Sequence, residues 1–217
     1  SRKERLEMSE KPHQYLVTQV QRREISISSN GKIEIDFSNP VKELLFFIQP
    51  DTNLNQGEVF NFSNKLRYLP SENSDLTSYN YNEYFELPKY HFLDKARILL
   101  NGIERVEWKN YKYYYNLQNY EHFRNSAEHY VYLYCFAIFP YSNNPSGSLN
   151  FSRVKDAQLQ FNLFDIPENT ISANAGGKTV TVNGGISSSN PGKITVFATS
   201  YNWLIIENGL AGLKYQI

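Results

Sequence analysis

The chain of 217 residues has one cysteine, one methionine and no surplus of either charge, with 22 Lys+Arg against 22 Asp+Glu. A lone Cys135 excludes an intrachain disulfide and fits assembly in a reducing compartment. A formal net charge of +0 argues against broad nucleic-acid binding, which needs a basic surface. The longest apolar run, residues 131–140, falls far short of the ~20 residues that a membrane-spanning helix requires. The first residues, Ser1-Arg2-Lys3-Glu4-Arg5, hold no apolar signal region. We expect residues 1–14 to be a linker or a short helix, the inner edge of a longer polypeptide.

Aromatic residues are abundant, with 17 Tyr and 14 Phe, so the composition is that of a globular chain able to bury a core. From Tyr15 onward the apolar period is two. Ile33, Ile35 and Phe37 alternate with polar residues, as do Leu159, Phe161 and Leu163, and Ile194, Val196 and Ala198. Each set marks a strand with one face in the core. Residues 44–48 are a continuous apolar run, consistent with a strand buried on both faces, and 131–139 is a second run; residues 41–48 and 131–139 are expected to be the most buried strands. Asn-Gly pairs at Asn30-Gly31, Asn101-Gly102, Asn183-Gly184 and Asn208-Gly209 supply the positive φ angles of tight turns. Asn190-Pro191-Gly192 and Pro145-Ser146-Gly147 are further breaks, and the one helix expected lies within residues 111–124. Short strands without alternating amphipathic helices predict an all-β sandwich or barrel. Residues 51–91, rich in Asn, Ser and Tyr, read as one long loop over the outside of the barrel, with Tyr79, Tyr81 and Tyr84 as anchors.

No catalytic constellation emerges. The histidines His13, His91, His122 and His129 lack metal-ligand spacing, although His122 and His129 could meet at a helix-to-strand corner. Cys135 sits among Tyr132, Leu133, Tyr134 and Phe136, and so reads as a buried, unreactive thiol. Gly176-Gly177-Lys178-Thr179 echoes a phosphate loop, but position 171 is Ile and a strand pattern follows where a helix is required. The tyrosines of residues 111–115 invite a base- or sugar-stacking reading; inward packing with wet hydroxyls is preferred. Asn61-Phe62-Ser63 and Asn150-Phe151-Ser152 match the glycosylation acceptor, with Asn61 favoured because it lies in the loop. We assign no catalytic, cofactor or metal residue. Two classes stay open on these grounds, a self-associating structural sandwich and a lectin-type binding module, with an enzyme third.

Particular segments carry a family resemblance. Phe136-Ala137-Ile138-Phe139-Pro140, then Pro145-Ser146-Gly147 and Asn150-Phe151-Ser152-Arg153, resemble the major capsid proteins of large eukaryotic (nucleocytoplasmic) DNA viruses. So do Asn39-Pro40-Val41-Lys42-Glu43-Leu44, Leu100-Asn101-Gly102 with Glu104-Arg105, and the stretch from Ser200-Tyr201-Asn202-Trp203-Leu204 to Tyr215. The resemblance implies an eight-stranded antiparallel jelly roll over residues 15–217, the second barrel of a double jelly roll, with residues 1–14 between the barrels. It implies a structural protein of an icosahedral shell, with no cofactor and no catalysis. Its partners would be two further copies in a homotrimeric, pseudo-hexagonal capsomer, then neighbouring capsomers and minor capsid proteins, without direct nucleic-acid contact. Its place would be the virion shell, assembled in the host cytoplasm. The rival is a carbohydrate-binding jelly roll used in attachment. Pro40 is expected to fix its own φ and to bias Asn39 toward an extended conformation.

Overall fold

The computed structural model describes residues 2–55, 57, 59–63, 91–125, 129–166, 169–172, 179–182, 185–207 and 210–215. Two antiparallel sheets account for the sandwich. Sheet A has the order β1 (His13–Ile27), β11 (Gly192–Glu207), β3 (Pro40–Pro50), β6 (Tyr132–Cys135). Sheet B has the order β2 (Gly31–Glu34), β8 (Ala157–Leu163), β4 (Leu93–Leu100), β5 (Ile103–Asn110). The pairs are nested: β4–β5 innermost, then β3–β6, β2–β8 and β1–β11 outermost. Successive levels alternate between the sheets, which is the winding of a jelly roll. Short β7 (Leu149–Asn150) pairs with β3, and β12 (Leu210–Leu213) pairs with β11. A separate ribbon joins β9 (Asn169–Ser172) to β10 (Thr179–Val182).

The core fills the space between the two sheets. Leu44, Phe46, Ile48, Ile194, Val196 and Ala198 come from sheet A, and Ile33, Ala96, Ile98, Leu159 and Phe161 from sheet B. The three alternating sets expected to face inward do so, with Leu163 only half-buried at the margin. Asn101 and Gly102 take φ of 52° and 79° and close the β4–β5 hairpin. The Asn101 Oδ1 also accepts from the N–H groups of Lys155 and Asp156, at 2.9 and 3.2 Å, pinning the approach to β8. Asn183-Gly184, Asn208-Gly209 and residues 176–178 lie outside the described residues.

Four expectations are corrected by the fold. Only Tyr132–Cys135 of the 131–139 run is strand; Ile138 and Phe139 are 61% and 45% exposed. The cause is local: the N–H groups of Phe136 and Ala137 both turn to the carbonyl of Lys42, which ends the ladder. The 44–48 run is not sealed on both faces, since Leu45 and Phe47 are half-buried. Phe47 stacks on Phe62 at 4.1 Å, so a folded-back segment covers it. That segment is the start of the expected loop. Here α2 (Asp51–Asn55) presents buried Asn53, whose amide donates to the carbonyls of Asn61 and Ser63. Asp51–Asn55 and residues 59–63 are thus fastened onto sheet A, whereas residues 64–90, with Tyr79, Tyr81 and Tyr84, lie outside the described residues. Asn39, finally, is left-handed at φ 67° and not extended. Its N–H donates to the Ser152 Oγ and its carbonyl accepts from Phe151, contacts that hold an Asn in a conformation it tolerates.

The helix expected in residues 111–124 is present as a π-helical turn, Tyr113–Leu117, running into α3 (Gln118–Phe123). It covers the β6 edge of sheet A: the Gln118 Oε1 accepts from the Cys135 N–H at 3.0 Å. At the other end of the chain, α1 (Arg2–Glu10) precedes β1, which begins at His13, two residues before the expected boundary at Tyr15.

Phe46 lies against Tyr114 and Tyr132 at 5.6 and 5.3 Å and is 1% exposed. Phe46→Ala is expected to cost about 3–5 kcal/mol in urea unfolding. Val20→Ala on the open β1 edge, where Val20 is 61% exposed, is expected to stay within about 0.5 kcal/mol.

Candidate assembly surface

The segments singled out in the sequence converge at one end of sheet A. Lys42, 8% exposed on β3, donates from Nζ to the Pro140 carbonyl at 2.7 Å. Its ammonium also lies 5.7 Å from the ring centre of Tyr201 on β11. A buried ammonium needs such acceptors, because desolvation is otherwise costly. Three residues earlier, Asn39 is fastened to Ser152. The loop between Pro140 and β7 is closed by Ser146, whose Oγ accepts from the Phe139 N–H at 2.8 Å. Gly147 follows at φ 142°, where a Cβ would meet the Phe136 carbonyl at 2.9 Å. These motifs are therefore architectural; each fixes a backbone path.

The remaining candidates do not form a reactive site. Burial, with a smaller contribution from the Glu43 carboxylate, pushes the Cys135 thiol far above its usual range. The His122 Nδ1 lies 3.0 Å from the Ile138 carbonyl, a tie between α3 and the loop. Among the described residues no group of three His, Cys, Asp or Glu side chains could hold a metal. The two acceptor motifs share one turn: Asn61 and Asn150 each take the Ser N–H two residues on, both at 3.1 Å. Their exposure reverses the expected order. Asn61 is 4% exposed because α2 holds it inward, and Asn150 is the exposed one.

The tyrosines of residues 111–115 pack inward, as preferred. Tyr114 is fully buried, and its hydroxyl donates to the Ala96 carbonyl at 3.0 Å instead of reaching water. Tyr111 and Tyr115 form part of a cage around His91, with ring centres at 4.2 and 4.6 Å; Tyr130 and Tyr132 complete it at 4.8 and 5.9 Å. The His91 Nδ1 lies 3.1 Å from the Tyr132 hydroxyl. Burial lowers the His91 pKa to about 4. The faces of these rings are thus occupied by one another. Trp108, on sheet B and 37% exposed, has Arg97 and Lys95 at 4.9 and 5.6 Å from its ring centre.

Among the described residues, two exposed apolar surfaces adjoin the Lys42 end of sheet A. The first is a tongue. β3 accompanies β11 only as far as Ser200, whereas β1 continues to Ile206. Beyond Ser200 the ribbon consists of the start of β1, the end of β11, and β12. Tyr15, Val17, Leu204, Ile206 and Leu213 share one face; Leu16, Trp203, Ile205 and Leu210 share the other. None of these belongs to the buried core. Leu210 is 77% exposed, and the tongue's charged side chains are Glu207 and Lys214. Asn202 braces its base, exchanging two hydrogen bonds with the backbone of Tyr215. The second surface is a shelf along the π turn, α3 and the loop after β6, carrying Leu117, Tyr120, Ile138, Phe139 and Tyr141. Beside it an open hollow of about 790 Å³ is lined by Lys112, Tyr113, Leu117, Tyr120 and Arg124, among others. A two-faced apolar ribbon and an aromatic shelf on one domain are features of protein–protein contact.

The family described as large eukaryotic DNA virus major capsid protein matches residues 4–212. A major capsid protein of Phaeocystis pouchetii virus is 25% identical over 98% of this chain and 50% of its own length. That of Paramecium bursaria Chlorella virus 1 is 28% identical over 98% of this chain and 51% of its own. A solved chain of the PBCV-1 virus capsid superposes with a TM-score of 0.74 at 25% identity, covering 100% of this chain and 55% of that one. The chain spans about half the length of the curated relatives it matches.

The His91 cage generates a pH dependence. His91 is neutral in the fold down to about pH 4, while in the unfolded chain it gains a proton below its ordinary value near 6.5. Its contribution is therefore fully present above about pH 6.5, declines as pH falls toward 4, and is constant below that. Between pH 7 and pH 4 the wild type should lose up to roughly 3 kcal/mol more unfolding free energy than His91→Phe. Paired urea titrations at the two pH values measure the difference.

Proposed function

The chain belongs to the large eukaryotic DNA virus major capsid protein family, and from that membership we propose that it is a wall-forming domain of an icosahedral viral shell. The observation that carries this reading is the family match over residues 4–212, on a fold in which Asn39, Lys42, Asn101 and Ser146 fasten the backbone. A structural role follows, and no residue is asked to do chemistry. No observation favours the carbohydrate-binding alternative, since the candidate stacking rings are packed against their own neighbours.

The chain's span, about half of its relatives' length, supports its reading as one barrel of a double jelly roll, with residues 1–14 between barrels. The working unit would be a homotrimer of pseudo-hexagonal outline, contacting neighbouring capsomers and minor capsid proteins in the virion. On the same reading, assembly would occur in the host cytoplasm. A net charge of +0 lets many copies crowd without long-range repulsion. Repetition over a shell then makes weak contacts add.

Light scattering on the capsid polypeptide at its full encoded length is expected to give three times the chain mass. A stable monomer or dimer at high concentration overturns the capsomer reading.

A further inference from the structure

The tongue and the hollow have complementary chemistry. Where β11 passes to β12, Glu207 pairs in register with Leu210, so a carboxylate and an exposed leucine stand together at the tongue's end. The hollow beside α3 offers the reverse: apolar Leu117 and Tyr120, with Lys112 and Arg124 at its walls. Among the described residues, none of Glu207, Lys112 and Arg124 forms an ion pair within its own chain.

The two features cannot serve each other within one molecule, given their places. The tongue extends β1 and β11 at one side of sheet A, and the helix beside the hollow covers β6 at the opposite edge. A surface on one side that complements a surface on the other generates head-to-tail contact, and a ring results when the rotation closes. A second copy of this chain is thus the occupant that carries both halves of the match. Three strands spaced ~4.8 Å apart, rising ~3.3 Å per residue over some five residues, give the tongue about 200–300 Å² per face. That is below the ~800 Å² per partner of a standard stable interface, so the contact suits a ring or lattice more than a tight isolated dimer.

We propose that the tongue of one copy docks into the hollow of the next, with Leu210 against Leu117 and Tyr120, and Glu207 facing Lys112 and Arg124. This rests on the capsomer reading, and it names the surfaces through which copies meet.

The test is charge reversal in the capsid polypeptide at its full encoded length, read as the oligomer's dissociation constant by light scattering and sedimentation. Glu207→Lys alone, and Lys112→Glu with Arg124→Glu, are each expected to weaken assembly at least tenfold. Combining all three is expected to restore it to within about threefold of wild type, because opposite signs again face each other. The sites are exposed, and an unchanged thermal unfolding midpoint for each variant separates an interface effect from misfolding. Reversals that leave assembly intact, or a combined variant that stays weak, overturn the docking and assign the tongue to another partner, while the capsomer reading survives. A wild type that never assembles overturns both.

Discussion

The buried ammonium of Lys42 is the constraint on which the rest of this end of the barrel depends. A lysine at 8% exposure needs its charge met by acceptors, and the Pro140 carbonyl at 2.7 Å is one that the chain must deliver. Delivering it fixes where the strand after Tyr132 stops. The Lys42 carbonyl, at the same residue, takes two successive N–H groups and peels Phe136 and Ala137 off the ladder. Side chain and backbone of one residue therefore set the path of residues 136–140. That path is what puts Ile138, Phe139 and Tyr141 on the surface instead of in the core. The Tyr201 ring beneath the ammonium extends the same constraint to the base of the tongue. Lys42→Ala would remove the Pro140 and Tyr201 contacts together while leaving β3's backbone pairing to β7 at Pro40 and Val41 and to β11 at Ser200 in place.

Much of the fold is legible in the sequence because one-faced burial writes itself as alternation. Ile33, Ile35 and Phe37, or Ile194, Val196 and Ala198, have period two for the plain reason that successive side chains leave a strand on opposite faces. Asn101-Gly102 is legible because few residues accept positive φ. The failures have a common physical origin, which is competition from distant partners. Asn39 precedes a proline and reads as extended, but Ser152, 113 residues away, holds it left-handed. Asn61 lies in a polar stretch and reads as exposed, but α2 turns it inward. The 131–139 run is apolar throughout, and only the demand from Lys42 shows where its strand ends. Hydrogen bonds between residues far apart leave no periodic trace.

The surfaces that would meet other molecules were partly legible for the same reasons. The tail after Trp203 has the apolar pattern of a strand, and nothing local tells a strand in a core from one that overruns it. The difference lies in the lengths of its neighbours. β11 runs for 16 residues and β1 for 15, whereas β3 runs for 11 and leaves β11 at Ser200. The hollow beside α3 could not be read at all, because Lys112, Leu117, Tyr120 and Arg124 line it only once the helix is laid along β6.

Unequal strand length in the outermost pair is therefore the means by which a closed barrel acquires a projecting ribbon. In nested winding, inner pairs are confined by the turns that close them, and Asn101-Gly102 stops β4 and β5 where they meet. The outermost pair, β1–β11, has no such closure and is free to run past the second sheet. The seven residues 201–207 then span about 23 Å with β1 on one side and β12 on the other. A ribbon of that size buries too little to be stable by its own packing, since isolated strand pairs are marginal in water. It persists because β1 and β11 are already registered over the nine residue pairs from Gly192 to Ser200, so extending the ladder costs little further ordering. The barrel supplies the rigidity, and the overrun carries apolar side chains on both faces beyond the buried core.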